Sequence, residues 1–292
     1  MSTEAEFTFD NDFDIDDNVK KAYDDHGYII VRGLLDKEEM AQLKKNIDDH
    51  SGISENAYGL PDGDGGEGKM VIWSHPGNDV TGIIARSEKV AGFSEKLLGG
   101  EVYHYHSKLT MKNPNSGGKF IWHQDYGYWY QNGCLFPDML SVFIPVDRCV
   151  KENGCLEILD GSNRCGRIEH KFREGQHGAD MDRVNEIRKV CPHKYVELEP
   201  GDALFFTCLL LHTSGSNNSP LRRWVFIPCY NRASNDPVYE HHHPQYTKLH
   251  KVPNSAIKEC RNYTDVSGKE FIDVKKDKTV KVGTIDKEQK QG

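Results

Sequence analysis

His123 and Asp125 stand two residues apart in the run Trp122-His123-Gln124-Asp125-Tyr126, and His212 and Arg223 follow much later in the chain. On an extended strand, residues two apart project from one face, so His123 and Asp125 are expected side by side, with a later strand bringing His212 across to complete three ligands. Two imidazoles and one carboxylate with open positions suit non-haem Fe(II) used for oxygen chemistry. Arg223 is expected on a following strand, aiming its planar donor fork at a carboxylate bound to that metal. Strand alternation puts it with Val225 and Ile227, while Arg222 joins Trp224 and Phe226 on the other face. The combination points to a 2-oxoglutarate-dependent oxygenase.

Elements able to position such a set flank it on both sides. Apolar, strand-like runs cover Met139 to Val146 and Ala203 to Leu211, and the runs 155–159, 195–199 and 223–229 are also β-rich, with turn signals at Gly161-Ser162 and Pro200-Gly201-Asp202. Nearer the N-terminus, Tyr28 to Val31 reads as a short strand. Asp36 with Glu39 forms an N-cap arrangement for a helix carrying Met40, Leu43 and Ile47 on one face, and Ser87 to Leu98 reads as a helix stopped by Gly99-Gly100. A helical N-terminal portion followed by many short strands predicts a mainly β fold with flanking helices, a double-stranded β-helix or jelly roll of the cupin kind. Residues 166–192, rich in charge and helix-compatible from Asp180 to Val190, are expected as an insertion between strands. Five glycines in residues 59–68 predict a flexible loop, of a kind that covers active sites as often as it merely connects elements.

From Val102 to Lys112, Tyr103, Tyr105, Leu109 and Met111 alternate with His104, His106, Lys108, Thr110 and Lys112. A half-polar strand of this kind fits either a solvent-facing or an interior polar face. Just after the metal motif, Tyr126, Tyr128, Trp129 and Tyr130 offer aromatic faces to a cation, although alternation must turn some of them into ordinary packing.

The stretch Trp122 to Tyr126, the segment Asn153-Gly154-Cys155-Leu156-Glu157-Ile158-Leu159-Asp160-Gly161-Ser162, and the run Pro200 to Phe206 with Leu211-His212-Thr213-Ser214 together resemble the phytanoyl-CoA dioxygenase family over roughly residues 20–250. The run Ser107 to Trp129 is more similar to ectoine hydroxylase and other small-molecule hydroxylases than to the acyl-CoA enzyme. Asn163 departs from the pattern, since many relatives continue Gly-Ser with His. The resemblance implies Fe(II) held by His123, Asp125 and His212, with 2-oxoglutarate and O2 as co-substrates and succinate and CO2 as products. It implies that Arg223 holds the distal carboxylate of 2-oxoglutarate, helped by Thr110 or Ser214, and it favours an interior position for His106 and Thr110. Asp125 weighs against the halogenating members of this chemistry, which lack that carboxylate. With His106 and Lys108 as anion partners and Tyr126 and Trp129 as aromatic ones, a small zwitterion is the expected substrate: a quaternary-ammonium, aminophosphonate or amino-acid-like compound. An acyl-CoA 2-hydroxylase, a zinc hydrolase using the same ligands, and a non-catalytic metal-binding barrel remain the alternatives.

Composition narrows the classes further. A chain of 292 residues, 37% hydrophobic, can bury one large core, and a net charge of −8 without clustered Lys and Arg argues against a nucleic-acid partner. There is no long apolar stretch and the first residues are acidic, so neither a membrane span nor a signal peptide is expected, and the protein is expected in the cytoplasm. Eight cysteines without a Cys-x-x-Cys pair read as reduced and structural. Three consecutive histidines, His241 to His243, are not expected to converge on one ion. The organisation expected is a mobile acidic tail (1–17), one oxygenase domain (18–250) and a charged, peripheral C-terminal extension (251–292).

Overall fold

A computed structural model describes residues 4–49 and 51–273. Two of its sheets face one another as the expected double-stranded β-helix, and a separate hairpin pairs His170–Arg173 with Gln176–Ala179. The larger sheet runs in the order Glu6–Thr8, Tyr28–Arg32, Ala203–Thr207, Met139–Pro145, Arg223–Arg232, Val102–Lys112, Glu67–Ser74 and Glu270–Phe271, with Tyr58–Pro61 also pairing to Glu67–Ser74. The smaller contains His193–Val196, Leu156–Leu159, His212–Ser214 and Phe120–His123 in that order.

Period-two alternation divides the larger sheet between two apolar layers. Ile29, Val31, Val142, Ile144, Phe205 and Phe226 pack outward with residues of the helices Asp17–His26, Lys37–Asp49 and Val80–Arg86. Their neighbours Tyr28, Ile30, Phe143, Leu204, Phe206, Val225 and Ile227 face inward, with Leu156, Ile158 and Val196 of the smaller sheet. The Asp36–Glu39 capping box is formed: Glu39 N–H donates to Asp36 Oδ1 (3.0 Å) and Asp36 N–H to Glu39 Oε2 (2.8 Å).

Four expectations need correction. The described part of the acidic N-terminal stretch is not a loose tail, because Glu6–Thr8 pairs in parallel with Tyr28–Arg32 and the rings of Phe9 and Phe13 sit 6.3 and 5.5 Å from Phe93. Three phenylalanines among the acids bury enough apolar surface to fix the segment. Residues 59–68 form a hairpin between two strands rather than a free loop. Its turn is closed by the Asp62 carboxylate, which accepts from the N–H groups of Asp64, Gly66 and Gly118.

The long strand Val102–Lys112 does not keep one alternation. Cys229 pairs with His106 and Tyr230 with His104, which leaves Tyr105 as a bulge. The phase flips there: Tyr103 and Tyr105 join the inner layer, while Leu109 and Met111 join the outer. Finally, residues 251–273 are integrated rather than peripheral, since Ile257 is buried and Glu270–Phe271 pairs with Glu67–Ser74. Residues 274–292 of that extension lie outside the described residues.

Among the described residues, no helix is long and apolar enough to cross a membrane. All eight cysteines are free, and burial pushes the thiols of Cys134, Cys149, Cys155 and Cys229 up to about 12.

Candidate metal centre

Register places the first two ligands. Phe120–His123 runs antiparallel to His212–Ser214 with His123 directly opposite His212, and the two imidazole rings lie 4.0 Å apart between centroids. The third ligand arrives by a route that strand alternation does not describe. The strand ends at His123, and Asp125 is already in helical conformation (φ −55°, ψ −36°) at the start of the single turn Tyr126–Trp129. Gln124 pins that reversal, its buried amide donating to the carbonyls of Gly166 (2.9 Å) and Leu209 (2.7 Å) and accepting from Ile168 N–H (2.8 Å). One ligand atom from each of His123, Asp125 and His212 then lies within 4.8 Å of the others, and this is the one such group of three or more among the described residues.

The donor set fits a divalent transition metal. His123 Nδ1 donates to Ile121 O (2.7 Å) and His212 Nδ1 to Leu210 O (2.9 Å), which leaves each Nε2 lone pair free for an ion. Burial, and for His123 also the neighbouring His212, holds these imidazoles below their ordinary pKa and therefore neutral, as ligands must be. Burial alone would raise the Asp125 carboxyl, but the Lys108 charge and the Ser141 hydrogen bond oppose it and keep the group ionised. Its two oxygens are separately held: Lys108 Nζ donates to Oδ1 (3.0 Å) and Ser141 Oγ to Oδ2 (2.7 Å).

The triad opens into a cavity of about 560 Å³. Arg223, fully buried, is part of its wall, donating through Nη2 to Gly154 O (3.0 Å) and through Nη1 to Thr110 Oγ1 (3.4 Å), while its Nε has no partner. Thr110 and Ser214 line the same space. Arg222 turns outward to Asp147 (2.8 Å) and Asp48 (2.7 Å), as the strand phase requires. Beside Arg223 lies a second cation that the sequence reading did not single out. Lys112 is completely buried and donates to Ser214 Oγ (2.7 Å) and Gly215 O. Burial and the adjacent Arg223 depress its pKa strongly, disfavouring the charged form. Its place on the polar side of the Val102–Lys112 alternation was the available signal.

The substrate-side residues divide. His106, Lys108, Tyr128 and Trp129 line the cavity, and Lys108 Nζ already lies 5.5 Å from the Trp129 ring centroid. Tyr126, expected at the site, turns away because the chain is helical there: its hydroxyl donates to Leu135 O (2.6 Å) and its ring packs on Tyr130 four residues on. Tyr128 takes its place, stacked on His170 at 5.0 Å. His242 and His243 also reach the wall, His243 with its ring 4.4 Å from that of His106. Sequence distance hid that meeting.

Comparison with known proteins agrees with this geometry. The family model for phytanoyl-CoA dioxygenase (PhyH) matches residues 23–225. The chain is 27% identical over 243 residues to L-proline trans-4-hydroxylase of Streptomyces griseoviridis, covering 76% of this chain and 88% of that one. It is 24% identical over 224 residues to ectoine dioxygenase of Stutzerimonas stutzeri (72% and 74% covered). Among solved structures, apo EctD from S. alaskensis superposes with a TM-score of 0.69 at 23% identity over 87% of this chain and 92% of that one, and its Fe-bound form has the same score. A family model spanning most of the chain, over a jelly roll with a three-ligand centre, makes this protein a member of the phytanoyl-CoA dioxygenase family.

Proposed function

We propose that this protein is an Fe(II)- and 2-oxoglutarate-dependent dioxygenase that hydroxylates a C–H bond of a small charged or zwitterionic metabolite. The observation that carries the reading is the placement of two neutral imidazoles, one carboxylate and a buried arginine around one cavity. His123, Asp125 and His212 hold the iron, which supplies oxygen activation when bound. Arg223 receives the distal carboxylate of 2-oxoglutarate, with Thr110 and Ser214 adding hydroxyls and Lys112 Nζ donating to Ser214 Oγ from behind. Phe143, Leu156, Phe206 and Ile227 complete the walls and exclude water from the reacting centre.

The remaining wall, with Lys108, His106, Tyr128 and Trp129, meets the substrate. A cavity of this size has room for the co-substrate and a small molecule, and relatives named for L-proline and ectoine hydroxylation support a zwitterion over an acyl-CoA. Free, mostly buried cysteines support a reducing, cytoplasmic setting.

The test is to reconstitute anaerobically purified protein with Fe(II) and 2-oxoglutarate, admit O2, and measure succinate with and without L-proline, ectoine and related zwitterions. Succinate that depends on Fe(II) and rises with one of these compounds is expected. No succinate under any condition would overturn the reading.

A further inference from the structure

We propose that His106 and His243 form a carboxylate-binding subsite within the cavity, taking the acid group of a small amino-acid or imino-acid substrate. That the acid belongs to a substrate rests on the oxygenase reading; the subsite itself rests on two buried, adjacent rings in the cavity wall.

His106 is 2% exposed and His243 is 5% exposed, and both line the cavity. Their rings lie 4.4 Å apart at 39°. Neither nitrogen of His106 has a hydrogen-bond partner, nor has Nδ1 of His243. A polar atom left buried and unpaired is destabilising, so three such atoms on two adjacent rings call for an occupant that satisfies them. His106 faces this wall in phase with Lys108 and Thr110, and the bulge at Tyr105 adds the Tyr105 ring to the same side. Tyr105 and Trp129 support the pair, Tyr105 with its ring 4.7 Å from that of His243 and Trp129 5.6 Å from that of His106.

The chemistry of the occupant follows from the surroundings. Burial holds both rings neutral, so each presents one N–H donor and one acceptor nitrogen. Two donors on adjacent tilted rings suit the two oxygens of one carboxylate. The cation that acts on both rings is Lys108, whose Nζ also donates to Asp125 Oδ1 (3.0 Å), and a cation beside the pair favours an anionic group over an amine. A metal is the poorer occupant, because the pair belongs to no group of three ligands among the described residues. With Arg223 in the same cavity reserved for 2-oxoglutarate, this wall is where a second acid group would be read.

The experiment uses the full chain labelled with 15N-histidine, metal-free and again loaded with Zn(II) and 2-oxoglutarate, a diamagnetic state inert to O2. Acetate, acetamide, L-proline and ectoine are titrated while the ring signals are followed, with His106→Phe and His243→Phe providing assignments. The expected result is that the His106 and His243 signals move together and saturably with acetate and with at least one of L-proline and ectoine, and stay in place with acetamide. His243→Phe should weaken the acetate response of His106 at least fivefold. Should His106→Phe fail to fold, that second variant still decides the matter. Acetate that moves neither signal, or acetamide that moves both equally, overturns the proposal. If the signals respond while the succinate assay stays silent, the oxygenase reading falls and the subsite stands.

Discussion

Lys108 Nζ donates to Asp125 Oδ1 at 3.0 Å, so a buried ammonium occupies one oxygen of the carboxylate that a metal must use. Ser141 holds the other oxygen, fixing the carboxylate plane. A divalent ion entering this centre meets the Lys108 charge at close range, where an effective dielectric near 20 gives about 3–4 kcal/mol per pair of unit charges at 4–5 Å. Orientation by Ser141 survives the loss of Lys108. Lys108→Met is therefore expected to tighten Co(II) binding at pH 7 at least tenfold, measured by the visible absorption of the bound ion. Weaker binding in that variant would mean that Lys108 orients Asp125 more than it competes for it.

Arg223 offers a second direct test. Lysine at that position keeps a charge but cannot make the two-pronged contact, and the Gly154 and Thr110 partners cannot both be reached from a single ammonium. The affinity for 2-oxoglutarate in Arg223→Lys should fall by about 1.5–3 kcal/mol, the usual worth of a charged hydrogen bond, in anaerobic titrations of the Fe(II) protein. Arg222→Lys, whose parent residue faces Asp147 and Asp48, should leave that affinity within twofold. The reverse pattern would show that the anchor has been assigned to the wrong face.

What the sequence made legible was the part governed by local rules. Alternation placed Arg223 inward and Arg222 outward, and cap chemistry placed the Asp36 helix, because each depends on neighbours a few residues away. His123 and His212 were legible as candidate ligands by type, but the strand argument that paired His123 with Asp125 described the wrong conformation. The chain turns helical at Asp125, held by Gln124 bonds to residues far along the sequence. The same helical turn sends Tyr126 away from the cavity. Likewise the bulge at Tyr105 has no signature in composition, since it is set by the register of the partner strand. His243 meets His106 only through the tertiary path of the chain, and three histidines in a row gave no hint of it.

Gly127 carries a steric prediction. A Cβ there would lie 1.3 Å from His170 Nδ1, so the His170 ring occupies the space that glycine leaves open. Gly127→Ala must displace His170, and with it the hairpin strand His170–Arg173 that borders the cavity. A loss of about 1–3 kcal/mol in urea unfolding is expected, the usual cost of overpacking. Adding His170→Ala should return part of it, since two residues in contact are coupled. An additive double variant would show that the clash is relieved elsewhere.

His170 also makes stability depend on pH with a definite sign. Burial, aided by neighbouring cationic groups, holds its pKa down to about 4 against an ordinary 6.5. The ring is committed in the neutral form, accepting from Gln124 N–H at 3.1 Å and stacking on Tyr128. Between pH 6.5 and 4 the unfolded chain takes up a proton that the native state refuses, so stability falls as the pH drops through this window and the term is complete below about 4. At pH 5 it amounts to about 2 kcal/mol at most. His104, His106, His123, His212 and His243 are also held low, so they push in the same direction and the wild type should lose stability steeply on acidification. His170→Phe keeps a flat ring for Tyr128 and removes one proton from this uptake. Its urea midpoint should therefore fall less than that of the wild type between pH 7 and pH 5, even if it starts lower at pH 7 through loss of the Gln124 bond. Equal losses in the two proteins would show that His170 is not held neutral in the native state.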